Sequence, residues 1–528
     1  MRRVRQFQVA PTHVKLVLLR ALSATHEEGC CHGELDHTYA ELQRIEKETN
    51  QKADALIICG DFQAIRNQAD LLCMAVPPKY RQLGQFHKYY TGEKTAPVLT
   101  LVVGGNHEAS NYMWELYHGG WLAPNIYYLG GSNCVRLNGV RIAGFSGIYN
   151  SHHYHLGHFE RIPYDNSTLR SVYHVRAHDV CKLSLLTPDV GICISHDWPE
   201  GIYEHGDVKK LIAQKPFFKA DIQKHELGNP YGMELLKSLK PQWWLSAHLH
   251  VRFAAEVDHT GAGVTGWATP SKLGHSSKSA GQGRRQLNND EIIMDEDDQG
   301  MEQGTSAQTK STNTDEIVMD DEDEPTPVGP ADEPSSTSDL KQPAVSPSSP
   351  NALTTTKFLA LDKCVPKRKF LEIIDVPTPD SSSSDTPPKL TFDSEWLAIS
   401  RAMHPLLSLD RRSAVQPRLS LAKGWVEREL EWVQDMLSQR LKLTHSDNGS
   451  PSASAAVPSS LSPASRGPLH LEIMSVQQFV MTAPGPGKDV NPRQQPQWYT
   501  NPQTEAFCTL IGVDNKVNPP PTASNNRR

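Results

Sequence analysis

The sequence predicts an α/β fold whose sheets are covered on their outer faces. Three observations carry that expectation. Apolar runs of 4 to 7 residues, rich in Val and Ile, recur between residues 55 and 257, and their length and composition suit buried strands. Helical stretches lie between some of them, such as LDHTYAELQRIEKE after Gly33 and GMELLKSLK before Pro241, and this alternation implies helices packed on sheets. Several runs also end in a cluster of Gly, His, Asp or Asn, and the carboxyl ends of strands are where open α/β sheets place their ligands.

In chain order, ALIIC runs into GDFQ, PVLTLVV into GGNHE, VRIAGF into SGIYN, VGICI into SHDWP, and WWLS into AHLH. From residue 262 to about 352 the composition collapses to Ser, Thr, Gly, Pro and acidic residues, which predicts disorder. Within it DEIIMDEDD (290–298) and DEIVMDDED (315–323) form an imperfect repeat, read as a solvated acidic linker or as a docking peptide for a basic or strand-adding partner. TKFLALDKCVPKRKFLEIIDV at 356–376 alternates like a strand pair. FAAEV before the linker and KFLAL after it read as two halves of one hairpin, because loop-closure entropy rises slowly with length. The amphipathic segments 392–409 and 425–441 predict a second, smaller domain, followed by a Ser/Pro/Gly-rich break and a tail containing NPQTEAFCTLIGV. Lys363, Lys367, Arg368 and Lys369 resemble a nuclear import signal or form the solvated face of the strand pair.

Composition sets the remaining bounds. The chain has 528 residues, 38% of them hydrophobic and 21% charged, more length than one core of moderate size can use. The net charge of −7 alone argues against a polyanionic partner, but residues 286–333 hold 16 acids and one Lys, so the rest of the chain carries +8 and a nucleic-acid substrate stays open. No run of 18 or more apolar residues occurs, so no segment reads as a membrane-spanning helix and no membrane partner is expected. Nine Cys, with Cys30 beside Cys31, do not suit a secreted disulfide framework and point to a reducing compartment.

Five motifs carry chemistry: CCHGELD (30–36), GD (60–61), GNHE (105–108), SHDWP (195–199) and AHLH (247–250). Each offers potential metal ligands from a strand end: Cys30 and His32, Asp61, Asn106, His196, then His248 and His250. A lone His is more often a satisfied core residue, but seven such residues in five Gly-punctuated loops make that reading improbable. The logic is that of a two-metal hydrolase, in which paired cations clamp a phosphate and lower the pKa of a shared water. One carboxylate must bridge both ions, and Asp61 is the acid placed for it. Cys30, His32 and His250 would complete one site; Asn106, His196 and His248 would complete the other. One-residue spacers in Cys30-Cys31-His32 and His248-Leu249-His250 would turn alternate side chains to a common side of an extended segment.

Together the motifs resemble the calcineurin-like metallophosphoesterase family, whose signature runs D-x-H, GD, GNH[DE], a lone His and GH-x-H. The match covers roughly residues 28–257. It departs at Cys30, where most of the family has Asp, and at Ala247, where Gly is usual. The resemblance implies a two-sheet αββα metallophosphoesterase sandwich with a smaller C-terminal domain, and the same seven ligands. A thiolate at Cys30 is softer than a carboxylate and favours zinc or ferrous iron over magnesium, so the expected pair is Fe2+ and Zn2+ with Mn2+ as a substitute. Within the family, CCHGELD, GDFQAIRN, GNHEASNYMWEL, GIYNSHHYHLGHFE, SVYHVR, SHDWPEGIY, SAHLHVRFAA and TKFLALDKC are similar to the lariat-debranching branch. That implies hydrolysis of the 2′,5′-phosphodiester of excised intron lariats in the nucleus, with branched intron RNA as substrate and no DNA. The acidic insertion would then be the docking site for any splicing-associated protein.

His107 resembles the family's proton-donating His. A departing 2′-oxygen needs protonation as it leaves, and imidazolium supplies it near neutral pH. The competing role is support of the site through Glu108. Residues 146–176 hold His152, His153, His155, His158, Arg161, Arg170 and Arg176 among Tyr149, Tyr154, Phe159, Tyr164 and Tyr173. Interleaved cations and aromatics suit phosphates and unstacked bases of single-stranded RNA, and the resemblance makes this the substrate-recognition loop. Its candidate contacts are Tyr149, His152, His153, His155, Arg161, Arg170, Tyr173 and Arg176. The bland alternative is a merely polar surface loop; separately, the four clustered His could bind a metal adventitiously.

At the N-terminus, five basic and no acidic residues in the first 26, with the apolar run VKLVLL, read as a transit peptide. The family's first strand runs directly into its first motif, whereas RALSATHEE intervenes here, so either VKLVLL is an irregular version of that strand or residues 1 to about 28 are not the native beginning. Residues 1–27 are therefore expected to be an extension, 28–261 the catalytic domain, 262–352 a disordered insertion, 353–445 a C-terminal domain, and 446–528 a mostly disordered tail with a short ordered piece near 500–515. Two other functions compete: a phosphoesterase of the same fold acting on phosphoprotein or cyclic nucleotide, and a non-catalytic RNA-binding scaffold. FQAIRN after GD, with no DRG triplet, argues against the first; intact metal motifs argue against the second.

Overall fold

The apolar runs form strands, and the strands build two stacked sheets. The computed structural model describes residues 13–19, 33–260, 354–361, 371–378, 387–446, 470–488 and 491–520. Cys30, His32, the acidic repeat and the basic residues 363–369 lie outside them. The strands are β1 (His13–Leu19), β2 (Ala55–Ile58), β3 (Leu99–Val102), β4 (Gly120–Ala123), β5 (Ile126–Tyr128), β6 (Ser132–Leu137), β7 (Val140–Phe145), β8 (Ile192–Ser195), β9 (Trp243–Ser246), β10 (Phe253–Asp258), β11 (Thr355–Ala360), β12 (Leu371–Pro377) and β13 (Leu390–Phe392). One sheet has the order β12-β1-β2-β3-β5-β4, the other β10-β11-β9-β8-β7-β6-β13.

Side-chain alternation explains why the inner strands are apolar throughout. In β2, Ala55 and Ile57 enter the core between the sheets, while Leu56 and Ile58 pack outward with Leu35, Tyr39 and Leu42 of the helix Leu35–Thr49. Thr100 of β3 faces the same helix and is bonded to the Tyr39 hydroxyl at 2.9 Å. β10, at a sheet edge, instead buries Phe253, Ala255 and Val257 and exposes the residues between. The helix Pro230–Leu239 starts where Asn229 accepts from Tyr231 N at 3.0 Å and Pro occupies the first turn.

The fold class and the long-range hairpin stand as expected. Phe253 pairs with Ala360 and Asp258 with Thr355, antiparallel, on either side of the 93 residues 261–353. Four expectations are corrected. VKLVLL is not part of an extension: β1 lies inside its sheet, parallel to β2 and antiparallel to β12. The two halves of 356–376 do not pair with each other, because β11 inserts between β10 and β9 while β12 crosses to the other sheet. The amphipathic helices Ser394–Met403 and Leu419–Ser446 do not build a separate core: Trp396, Leu397, Val433 and Leu437 join the cluster between the sheets. Finally, the tail packs well beyond 500–515. Leu471 and Ile473 are buried in that same core, and Gln503 exchanges two amide bonds with Trp121 on edge strand β4, at 2.7 and 2.9 Å. The side chain stands in for a neighbouring strand and closes an edge that would otherwise be open.

Candidate metal centre and substrate loop

The GD motif leaves β2, GNHE leaves β3, SHDWP leaves β8 and AHLH leaves β9, so four motifs converge at strand ends. Close approach depends on glycine at two positions. A Cβ on Gly60, at φ +116°, would lie 2.1 Å from His196 Nδ1, and one on Gly105 would lie 2.1 Å from Asp61 Oδ1. Asp61 is 2% exposed and itself in the left-handed region at φ +46°. Its Oδ1 accepts from His107 N at 2.9 Å and lies 3.5 Å from His196 Nε2.

His196 has its tautomer set by the backbone. Nδ1 donates to the Cys59 carbonyl at 2.8 Å, which leaves the Nε2 lone pair of the neutral ring directed at the site. That Nε2 sits 3.1 Å from Asn106 Oδ1, also an acceptor. Two acceptors have nothing to exchange with each other. Donors held 2.0 to 2.2 Å from one ion are about 3 to 3.5 Å apart, which is the spacing of His196 Nε2 from Asn106 Oδ1 and from Asp61 Oδ1. The donor set therefore fits a divalent cation. The His248 ring lies 5.0 Å from that of His196 between centroids. His, Cys, Asp and Glu alone form no metal-holding group of three among the described residues; the expected set includes the amide of Asn106, and Cys30 and His32 fall outside.

His248 and His250 are half-buried on either side of the buried Leu249. The segment is not extended, as the one-residue spacer suggested. Both residues are left-handed, at φ +64° and +51°, and the turn rather than a strand repeat places them.

His107 flanks the ligands with its side chain 21% exposed and Nδ1 3.8 Å from Asp61 Oδ2. Glu108 takes a different part. Its Oε1 accepts from Phe62 N at 2.7 Å and Gly105 N at 3.1 Å, and its Oε2 accepts from Gln63 N at 2.8 Å, so one carboxylate ties the Asp61 loop to the Asn106 loop. Burial, then the charge of Asp61, push Glu108 up to about 7 against the pull of these donors. Asp197, which no motif reading singles out, holds the third loop. It accepts from Trp198 N at 2.9 Å and Tyr149 N at 3.1 Å, and burial raises it to about 7. The letters SHD held the signal, but only the fold shows what the Asp touches.

Both ends of the segment 146–176 are bonded to the loops that carry the candidate ligands. Gly104 N donates to Ser146 Oγ at 2.8 Å and Gly147 N to the Gly104 carbonyl at 2.9 Å; Tyr149 N reaches Asp197. Its far end returns through Val175 N to the Ile148 carbonyl at 2.9 Å, and Tyr173 and His174 line one pocket with Gly104, Gly105 and Glu108.

The loop's candidate contacts divide by exposure. His152, His155 and Arg170 face solvent, while Tyr149, His153, Arg161 and Tyr173 are half-buried. Tyr149 packs 5.8 Å from both Tyr154 and Tyr231. His153 is stacked on His174, with their Nδ1 atoms 2.9 Å apart, and burial lowers its pKa. Arg161 donates to the His158 carbonyl at 2.9 Å. Arg176 is corrected from a substrate contact to an internal one. It is fully buried, donating to Glu160 Oε1 at 2.6 Å and to the Ser171 and His153 carbonyls at 3.1 and 3.2 Å. His158 is likewise internal, paired with Asp179 at 3.0 Å.

Comparison with known proteins joins the two halves of this architecture. The calcineurin-like phosphoesterase family matches residues 25–252, and the family described as lariat debranching enzyme, C-terminal domain, matches residues 353–516. The lariat debranching enzyme of Schizosaccharomyces pombe is 39% identical over 513 residues, covering 94% of this chain and 98% of that one. The Arabidopsis thaliana enzyme of the same name is 39% identical over 413 residues, covering 78% and 75%. The Homo sapiens one is 42% identical over 384 residues, covering 73% and 54%. With both family regions in order and the match to the fission-yeast protein nearly end to end, this chain belongs to the lariat debranching enzyme family of calcineurin-like phosphoesterases.

Proposed function

We infer that the protein hydrolyses the 2′,5′-phosphodiester at the branch point of excised intron lariats, releasing linear intron RNA. The observation that carries this is the joining of the recognition loop 146–176 to two ligand loops, through Gly104 and Asp197, on a chain of this family. Cys30, His32, Asp61, Asn106, His196, His248 and His250 would hold divalent ions, which would supply Lewis acidity at the phosphate and a nucleophile near neutral pH. His107 gives its proton to the departing 2′-oxygen of the branch nucleotide, while the phosphate stays on the 5′ end of the intron. The exposed His152, His155 and Arg170, with Tyr149 and Tyr173, hold the branch so that only the 2′-oxygen lies in line with attack.

The ion pair is Fe2+ and Zn2+, with Mn2+ as a substitute; the softness of a Cys30 thiolate supports that choice. The protein works in the nucleus, where its substrate is made, and its acidic repeat DEIIMDEDD/DEIVMDDED docks a splicing-associated protein. The test is chelation of the purified protein, then return of single metals with cleavage of branched RNA as the readout. Recovery with Fe2+ plus Zn2+ or with Mn2+ is expected; full activity of the stripped protein would overturn the metal-dependent reading.

A further inference from the structure

The segment 408–414, far from the recognition loop in sequence, is stitched to it along its length. His158 N donates to the Ser408 carbonyl at 2.9 Å, Gly157 N to the Asp410 carbonyl at 3.1 Å, and Ala414 N returns a bond to the His155 carbonyl at 2.7 Å. Leu156 and Ser413 form an antiparallel bridge. The approach is close enough to require glycine, since a Cβ on Gly157 would lie 2.6 Å from the Asp410 carbonyl and 2.7 Å from that of Ser408. This strip carries Arg411 and Arg412, both exposed. The Arg411 guanidinium carbon lies over the Phe159 ring, 5.1 Å from its centroid, so an aromatic of the loop helps to position an exposed cation.

Among the described residues neither Arg411 nor Arg412 is held in an ion pair. Two of the acids nearby, Asp165 and Asp410, are exposed, and Glu160 is already spent on Arg176. Arg161, Arg170, Arg411 and Arg412 outnumber Asp165 and Asp410 by four cations to two acids in the loop and the strip together.

We propose that the RNA-binding surface continues from loop 146–176 onto segment 408–414, where Arg411 and Arg412 hold phosphates of the single-stranded intron arms beyond the branch point. The inference rests on the debranching reading and adds a second stretch of chain to its substrate site. Phosphate contacts to the arms carry no sequence preference, and they strengthen binding of long substrates without altering the chemical step.

The test compares the metal-loaded wild-type protein with Arg411→Ala/Arg412→Ala on a branched RNA with long arms and on a minimal branched trinucleotide. Each lost phosphate contact should flatten the dependence of log kcat/KM on log salt by roughly 0.7 to 1 for single strands. For the long-armed RNA the expected result is a rise in KM of about tenfold, roughly the 1.4 kcal/mol of a pair of modest contacts, at constant kcat. The minimal substrate should change less than twofold, and Arg411→Lys/Arg412→Lys should restore the slope. Equal loss on both substrates would mean that the strip only props the loop and would overturn the proposal, as would an unchanged salt slope. A wild-type protein that cleaves neither substrate would instead bring down the debranching reading.

Discussion

Glu108→Gln tests whether one buried carboxylate sets the geometry of two ligand loops. The wild-type carboxylate accepts three backbone N–H bonds, two at Oε1 and one at Oε2. A glutamine that keeps its carbonyl at the Oε1 position retains Phe62 and Gly105 but turns an NH2 toward the Gln63 N–H, two donors facing each other in a site 2% exposed. Leaving one buried donor unsatisfied costs about 1 to 3 kcal/mol. Neutralising Glu108 also removes its repulsion with Asp61, so the net loss belongs near the low end, about 1 to 2 kcal/mol. Ala at the same position loses all three acceptors and should cost more. Since Gln63 lies two residues from Asp61, the strain falls on the proposed bridging ligand. The assay is the denaturant midpoint together with metal per chain after dialysis. Glu108→Gln should lower both, and Glu108→Ala should lower both further. A Gln variant with wild-type midpoint and metal content would refute the reasoning.

His107→Ala should keep its metal content while turnover of branched RNA falls about 100-fold or more, the usual scale of general-acid catalysis; if a substrate with an acidic leaving group slows as much, His107 is not the proton donor. Deleting residues 1–19 should give an unfolded product by circular dichroism, because β1 lies between β12 and β2; a folded deletion would show that β2 and β12 can close the gap. Replacing residues 261–353 by a short turn should leave the melting temperature and activity on short branched RNA within error. The two strands it joins are already paired, and His259 N donates to the Thr354 carbonyl at 2.7 Å, so the ends of the insertion are neighbours. A large loss of stability would show that the insertion contributes to the fold.

The strands that end in metal motifs were legible because a run buried on both faces, such as ALII in β2, is apolar at every position and then stops at glycine. The hairpin of β10 and β11 was legible for a related reason: its alternation survives on either side of a stretch with no apolar pattern. β1 was not, because RALSATHEE breaks its expected junction with the first motif and its antiparallel partner β12 lies more than 350 residues away. The tail escaped notice because Gln477 and Gln503 dock it by bonding to the Gly119 and Trp121 backbone and the Tyr127 hydroxyl, and such contacts leave no hydrophobic period. Composition marked 146–176 as rich in cations and aromatics but did not separate the cations it exposes from Arg176, whose charge is answered inside by Glu160. Sequence spacing likewise placed His248 and His250 together without showing the left-handed turn that does it.

The most direct measurement is hydrolysis, side by side, of a branched RNA and a linear RNA of the same sequence by the metal-loaded protein. Both present the same phosphodiester to the ions, so selectivity must come from how the recognition loop orients the branch. The expected result is conversion of the branched RNA to linear RNA with a free 2′-hydroxyl at the branch nucleotide and a 5′-phosphate on the released end, with the linear RNA left intact. Cleavage of the linear RNA at a comparable rate, or an inert branched substrate with metals bound, would contradict it.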